Sequence, residues 1–95
     1  MRLTKGDYAH GWFVEPTIFD GVKPSMRLWQ EEVFGPVLAV ARATDFDEAV
    51  KLANDCAFGL TCAFYSQDLT LAMRFTEEVE AGMVHLNSPT IGGEA

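Results

Sequence analysis

Apolar and polar positions in the second half of the chain alternate in the order strand, helix, strand, helix, strand. Three short apolar runs have the length of strands, and the first of them is apolar on nearly both sides, which is typical of a sheet covered on both faces. Short connections between alternating strands and helices favour parallel strands with right-handed crossovers. We therefore predict an α/β fold with a mostly parallel sheet in β-α-β-α-β order. The predicted strands are VLAVARA (37–43), LTCAFY (60–65) and MVHLN (83–87).

Capping residues predict the two helices between these strands. Asp45 is followed three residues later by Glu48, which has the form of a capping box. Asp68 is predicted to cap the second helix, and Gly82 is well placed to end it. Apolar residues then recur at helical spacing. They are Phe46, Ala49, Val50 and Ala53 in the first helix, and Leu69, Ala72, Met73, Thr76 and Val79 in the second.

The first third of the chain is less regular. GWFVEPTIF (11–19) contains strand-forming residues, but Pro16 cannot donate to a ladder, so a strand here is interrupted or lies at an edge. Ser25 is predicted as the N-cap of a short helix over 26–32. The predicted segments are a loop or fragment end (1–12), an irregular strand plus short helix (13–36), the β-α-β-α-β region (37–87) and a truncated loop (88–95).

Composition and charge exclude several classes of protein. The 95 residues are 48% hydrophobic and 22% charged, which indicates one globular domain or part of one. The net charge of −7 argues against a nucleic-acid backbone or an anionic membrane as partner. No apolar run is long enough to span a bilayer, and the N-terminus lacks the apolar core of a signal peptide. We expect a cytoplasmic chain with neither nucleic-acid nor membrane partners.

Several residues with reactive or aromatic side chains are predicted to be structural. Cys56 and Cys62 lack metal-type spacing, so we expect neither a metal site nor a disulfide framework. Burial in an apolar strand would raise the pKa of Cys62 and leave it inert. His85 lies within an apolar strand and is predicted to be a hydrogen-bonded core histidine. The aromatic residues expected to pack rather than bind a ligand are Trp12, Phe13 and Trp29.

The run QEEVFGPV (30–37) is the first candidate binding site. Two adjacent carboxylates stand beside a Phe and are followed by Gly-Pro, the two residues least compatible with regular structure. One interpretation is a helix end with exposed acids, a packed Phe and a Gly-Pro stop. The other is a binding site. These residues by themselves leave both interpretations open.

The loop after the third predicted strand is the second candidate. Ligand sites in open α/β sheets lie outside the carboxyl ends of the strands. NSPTIGGEA (87–95) begins at such an end and supplies hydrogen-bonding side chains. Asn87 either lines a substrate pocket or is a turn residue that bonds its own backbone, and the pattern does not choose between them.

Four segments together resemble a known family. GWFVEPTIF, MRLWQEEVFGPV, DEAVKLAND with FGL, and AGMVHLNS occur in the order and spacing of the C-terminal part of the catalytic domain of NAD(P)-dependent aldehyde dehydrogenases. The likeness runs from about residue 11 to residue 87. HLNSPTIGGEA further resembles the branch that oxidises 2-oxoglutaric semialdehyde (2,5-dioxopentanoate). The resemblance implies a parent enzyme that oxidises an aldehyde to a carboxylic acid with NAD or NADP through a cysteine thioester.

The resemblance also implies roles for individual residues. Glu32 would bind the nicotinamide ribose, because a carboxylate accepts hydrogen bonds from both hydroxyls of a diol. Phe34 would pack near the nicotinamide ring and limit access of water. Glu31 would face solvent or pair with a cation.

The family resemblance places no catalytic residue in this chain. The nucleophilic cysteine and the general-base glutamate of the family lie upstream of EEVFGP, and neither Cys56 nor Cys62 matches the nucleophile's motif. We therefore expect the chain to be an inactive fragment that self-associates or forms a homo-oligomer through exposed strand edges. The alternative is a free-standing, non-catalytic α/β module used for binding or assembly.

Overall fold

The computed structural model describes residues 5–91 and divides the chain into two compact units, Met1–Arg42 and Ala43–Ala95. All strand pairs are parallel, and strands and helices alternate from residue 37 onward, which confirms the α/β prediction. After a 3-10 helix, Gly6–His10, the elements are β1 (Thr17–Asp20), α1 (Arg27–Gln30), β2 (Val37–Val40), α2 (Phe46–Asn54), β3 (Thr61–Phe64), α3 (Leu69–Glu78) and β4 (Met83–Leu86).

The first unit contains a two-stranded parallel sheet of β1 and β2. Thr17 lies opposite Val37, and the register continues to the ends of both strands. β1 begins directly after Pro16, so the missing N–H falls outside the ladder. The Thr17 N–H donates to the carbonyl oxygen of Pro36 at 2.9 Å, which joins the start of β1 to the residue before β2.

Ser25 does not cap α1, contrary to the prediction. The N-cap is Met26, which makes no side-chain cap bond, and its N–H donates to the Lys23 carbonyl at 2.9 Å. That bond closes a turn with Pro24 and Ser25 at its centre, a position that proline favours. Because Ser25 is used within the turn, the helix begins two residues later.

The expectation that β2 is covered on both faces is wrong for this chain. Leu38 on β2 is 57% exposed, and its neighbour Ile18 on β1 is 69% exposed. Two short strands and a four-residue helix bring too few side chains to cover a sheet. Trp12 is not buried, since it is 88% exposed, whereas Phe13 meets the ring of Tyr8 edge-on at 5.2 Å.

The second unit packs α2 and α3 around an aromatic cluster on β3. The ring of Phe64 stacks on Phe75 of α3 at 4.7 Å and meets Phe46 of α2 edge-on at 5.7 Å. Arg74 lies over the Phe46 ring at 4.7 Å and bonds Asp47 of α2 at 2.8 Å. One strand residue and one arginine therefore connect both helices. β3 pairs with β4 in parallel.

The apolar stripe predicted for α3 is partly wrong. Ala72 is buried as expected, but Leu69 and Met73 are mostly exposed, and the buried aromatic is Phe75, which the stripe omitted. The stacking of Phe75 on Phe64 rotates the buried side of the helix toward Ala72 and Phe75. Leu69 and Met73 consequently face outward.

Asn54, rather than Gly82, closes the end of α3. Its side-chain amide donates to the carbonyl of Glu78 and accepts from the N–H of Glu80, both at 2.8 Å. α3 therefore ends at Glu78, four residues before the predicted glycine. Gly59 permits this close approach, because a Cβ there would lie 2.6 Å from the carbonyl oxygen of Glu80.

Side-chain caps begin α2 and α3 as predicted. Asp45 accepts from the Glu48 N–H at 2.8 Å, and Asp68 caps the start of α3. In a capping box the Glu48 side chain would accept from the N–H of Asp45, but here the donor is Thr44, one residue earlier. The Glu48 carboxylate accepts from both the N–H and the hydroxyl of Thr44 at 2.6 Å.

These bonds predict a pH-dependent stability for α2. Hydrogen bonds from Thr44 hold the pKa of Glu48 below its ordinary value of 4.5. The ionised carboxylate therefore stabilises the folded chain at neutral pH, and its contribution is lost as the pH falls below 4.5 through the lower, folded-state pKa. We expect Glu48→Gln to lower the thermal unfolding midpoint near neutral pH and to have less effect in acid.

Circular dichroism melts of wild type and Glu48→Gln, near neutral pH and in acid, measure the change in unfolding midpoint at each pH. Glu77→Gln is the control, because the Glu77 carboxylate makes no hydrogen bond or ion pair with the residues that the structure describes. A Glu48→Gln deficit of the same size at both pH values would contradict the assignment.

Candidate functional site

The two adjacent glutamates of EEVFGP have different surroundings. Arg27, one helical turn before Glu31, donates from Nε to Oε1 at 2.9 Å and from Nη2 to Oε2 at 2.8 Å. This two-point bond uses both oxygens of Glu31 and holds its pKa below the ordinary value. The prediction that Glu31 faces solvent or pairs with a cation is confirmed.

Glu32 has no such partner. Its carboxylate makes no hydrogen bond or ion pair with any residue in the described range 5–91, and its side chain is exposed. Both oxygens therefore remain available to accept hydrogen bonds from a ligand. Glu32 borders an open depression of 340 Å³ at the end of α1. The residues around this depression are Arg27, Leu28, Glu31, Glu32 and Val33.

Phe34 lies at the apex of a tight turn two residues after Glu32. The Gly35 N–H donates to the carbonyl of Val33 at 2.7 Å, which makes Phe34 the centre of a γ-turn. A second bond of this kind, from Val37 N–H to Gly35 at 2.8 Å, brackets Pro36 and leads into β2. The predicted Gly-Pro turn is thus present. The ring of Phe34 is 97% exposed, so it is not the packed Phe of a simple helix end.

The segment presents two kinds of binding group within three residues, but Phe34 is not among the residues that line the depression beside Glu32. An uncommitted carboxylate accepts hydrogen bonds from neighbouring hydroxyls, and an exposed aromatic ring packs against a flat, apolar or aromatic group. The segment lies before the amino end of β2, on the connection from β1. It is therefore not at the carboxyl edge, where strand order alone would place a ligand.

Asn87 lies at the carboxyl ends of β3 and β4. Its Oδ1 accepts from the Ser66 N–H at 2.9 Å, and its Nδ2 donates to the Ser66 carbonyl at 3.0 Å. Its backbone N–H donates to Phe64 at 2.8 Å, and its φ is 52°. The amide bonds the backbone of the neighbouring strand end and not its own. Sequence reasoning missed Ser66 as its partner, although Ser66 directly follows a predicted strand.

Cys62 is partly buried in a strand, as predicted. Burial raises the pKa of Cys62 in β3, which favours the unreactive thiol. The Cys56 sulfur lies 3.4 Å from the carbonyl of Phe58 after the end of α2.

The prediction for His85 is wrong in one respect. It lies on β4, but its Nε2 is buried without a hydrogen-bond partner in the described chain, as is Oγ1 of Thr61 on β3. The pairing of β4 with β3 uses backbone groups alone and leaves this ring nitrogen unpaired. Among residues 5–91, no three His, Cys, Asp or Glu side chains cluster as metal ligands. None of the helices in that range has the length and apolarity needed to cross a bilayer.

Comparisons with known proteins point to one family. A profile described as "Aldehyde dehydrogenase family" matches residues 2–95. An alpha-ketoglutarate semialdehyde dehydrogenase of Haloferax volcanii is 54% identical over 84 residues, which are 88% of this chain and 17% of that protein.

Solved structures agree in fold. The 1-pyrroline-5-carboxylate dehydrogenase from Thermus with bound NAD superposes with a TM-score of 0.87 at 40% identity, over 98% of this chain and 17% of its own. Aldehyde dehydrogenase C from Pseudomonas syringae, a C291A mutant complexed with NAD+ and octanal, gives a TM-score of 0.81 at 42% identity, over 90% of this chain and 18% of its own. The chain thus spans less than a fifth of the length of these relatives. By its profile match and its fold, the chain belongs to the aldehyde dehydrogenase family.

Proposed function

We propose that this chain is part of an aldehyde dehydrogenase whose parent oxidises an aldehyde to a carboxylic acid with NAD or NADP through a cysteine thioester. Its part in the reaction is to bind the nicotinamide end of the cofactor, through Glu32 and Phe34. When bound, the cofactor supplies the acceptor for the hydride that leaves the aldehyde carbon.

The observation that carries the proposal is the different state of the two adjacent carboxylates. Arg27 occupies both oxygens of Glu31, whereas Glu32 makes no bond within the described chain and borders the depression at the end of α1. A ribose presents two neighbouring hydroxyls, and one ionised carboxylate accepts from both. Glu32, rather than Glu31, is therefore the residue suited to bind the nicotinamide ribose.

Phe34 is proposed to contact the nicotinamide ring. Its exposure at the apex of the γ-turn leaves a ring face open to a planar group. In the parent enzyme such a contact would restrict rotation of the nicotinamide and keep water away from the path of the hydride.

The substrate end of the proposal rests on the loop after β4. Asn87 is assigned to the wall of the substrate pocket because it follows a parallel strand at the carboxyl edge. The similarity to the Haloferax enzyme, together with HLNSPTIGGEA, supports 2-oxoglutaric semialdehyde as the aldehyde. We place the parent in the cytoplasm.

No residue of this chain is assigned a catalytic role. Burial raises the pKa of Cys62 and so favours its thiol form. Cys56 follows the end of α2 and is distant in sequence from Glu32 and Phe34. The nucleophile and general base are proposed to come from other parts of the parent. The 95-residue chain incubated with aldehyde and NAD(P)+ should therefore produce no NAD(P)H.

The two glutamates give a matched test of cofactor binding in the full-length enzyme. Glu32→Gln should lower turnover or raise the KM for NAD(P)+ by roughly tenfold to a hundredfold, because a hydrogen bond to a charged group contributes about 1.5–3 kcal/mol. Glu31→Gln should leave both constants near the wild-type values. Steady-state NAD(P)H formation measures them. A Glu32→Gln enzyme with both the turnover and the KM for NAD(P)+ of the wild type would refute the role.

The exposed first unit predicts that the isolated chain self-associates. Ile18 and Leu38 leave an apolar sheet surface uncovered, and the two-stranded sheet has open edges. Sedimentation velocity should show oligomers that grow with concentration, and Leu38→Lys should reduce them. A stable monomer at high concentration with a cooperative melt would instead favour a free-standing binding or assembly module.

A further inference from the structure

The depression at the end of α1 is bordered by two carboxylates and one cation. Of the five described residues around it, Glu31 and Glu32 are acidic, Arg27 is basic, and Leu28 and Val33 are apolar. Both glutamates therefore border the space in which the proposed ribose would bind, and the carboxylate of either residue is suited to a diol. The difference between them is Arg27, which within the described chain bonds Glu31 and not Glu32.

Arg27 and Glu31 are joined through both their side chains and their backbone. The guanidinium donates to the two Glu31 oxygens at 2.9 and 2.8 Å, and the Glu31 N–H donates to the Arg27 carbonyl at 2.8 Å. Glu31 is the C-cap of α1, with extended backbone angles of φ −116° and ψ 136°. A helix of four residues is a single turn, which is marginal without support from side-chain pairs. The ion pair therefore closes the turn from which the chain continues to Glu32.

We propose that Arg27 is a positioning residue for the cofactor and that it acts through Glu31. It occupies both oxygens of Glu31 and balances the charge of that carboxylate, so that Glu32 alone accepts the ribose hydroxyls. Arg27 itself makes no contact with the cofactor. This inference rests on the proposed function, because it concerns the same nicotinamide-ribose site.

Loss of the guanidinium would change the site in two ways. Two ionised carboxylates would compete for the same pair of hydroxyls, and a ribose bonded to Glu31 would be displaced from its productive position. The charge of Glu31 would also be unbalanced beside a cofactor whose own phosphates are negative. The two side chains of the ion pair are 88% and 56% exposed, so we expect only a modest weakening of cofactor binding, roughly twofold to fivefold.

A double-mutant cycle in the full-length enzyme tests whether Arg27 acts through Glu31. Isothermal titration calorimetry with NAD+ or NADP+ measures the Kd of the cofactor without turnover. Arg27→Gln should raise this Kd by roughly twofold to fivefold, and Arg27→Lys should raise it less, because lysine keeps the charge but loses the two-point bond. In a Glu31→Gln background, Arg27→Gln should have no further effect. The KM for the aldehyde should stay at the wild-type value in all of these variants.

Arg42→Gln is the matched control. Arg42 forms an exposed ion pair with Asp20 at 3.1 Å, in the same compact unit, and is not among the residues around the depression. The substitution removes the same charge and the same kind of bond as Arg27→Gln, so it should leave the Kd of the cofactor unchanged. An equal rise in Kd in the Arg27 and Arg42 variants would overturn the inference, because the cause would then be the total charge of the enzyme.

The remaining outcomes separate this inference from the proposed function. If Arg27→Gln still weakens binding in the Glu31→Gln background, Arg27 contacts the cofactor directly and the inference is overturned. If Glu32→Gln weakens binding but Arg27→Gln binds the cofactor as tightly as wild type, the inference alone is overturned and the proposed function stands. If Glu32→Gln itself binds the cofactor as tightly as wild type, the proposed function fails and this inference fails with it.

Discussion

Parallel pairing of short strands is the constraint on which both candidate sites depend. β1 can pair with β2, and β3 with β4, only if the chain between them returns to the starting edge of the sheet. The return from β1 carries α1 and EEVFGP, and the return from β3 carries α3. The proposed cofactor contacts thus lie on a connection between two parallel strands, and the proposed substrate loop follows the carboxyl end of the second strand pair.

Within the first connection, one ion pair distinguishes two residues of the same type. The bond between Arg27 and Glu31 is exposed, so its contribution to the free energy of unfolding is small. Its main effect is to decide which carboxylate can accept hydrogen bonds from a ligand, because Arg27 occupies Glu31 and leaves both oxygens of Glu32 uncommitted. Of the two successive glutamates, the first thus forms an ion pair at the end of the helix, and the second is the proposed ligand group.

Local chemistry was predictable from the sequence, and partners distant in sequence were not. Asp45 and Asp68 cap their helices as expected, because the bonds of a cap lie within a few residues of each other. The prediction that Ser25 caps α1 was wrong because Ser25 lies within the turn that contains Pro24. The proposed cofactor-binding residues, Glu32 and Phe34, follow from the family resemblance, and the structure adds that both are exposed. The bond of Asn87 to Ser66 spans 21 residues, which no local pattern reveals.

A crystal structure of the full-length enzyme with bound NAD+ would test the central claim most directly. The Glu32 carboxylate should lie about 2.5–3.0 Å from the two hydroxyls of the nicotinamide ribose, with Phe34 against the nicotinamide ring and Glu31 still paired with Arg27. A structure in which the ribose hydroxyls bond other residues, and the Glu32 carboxylate points away from the cofactor into solvent, would contradict it.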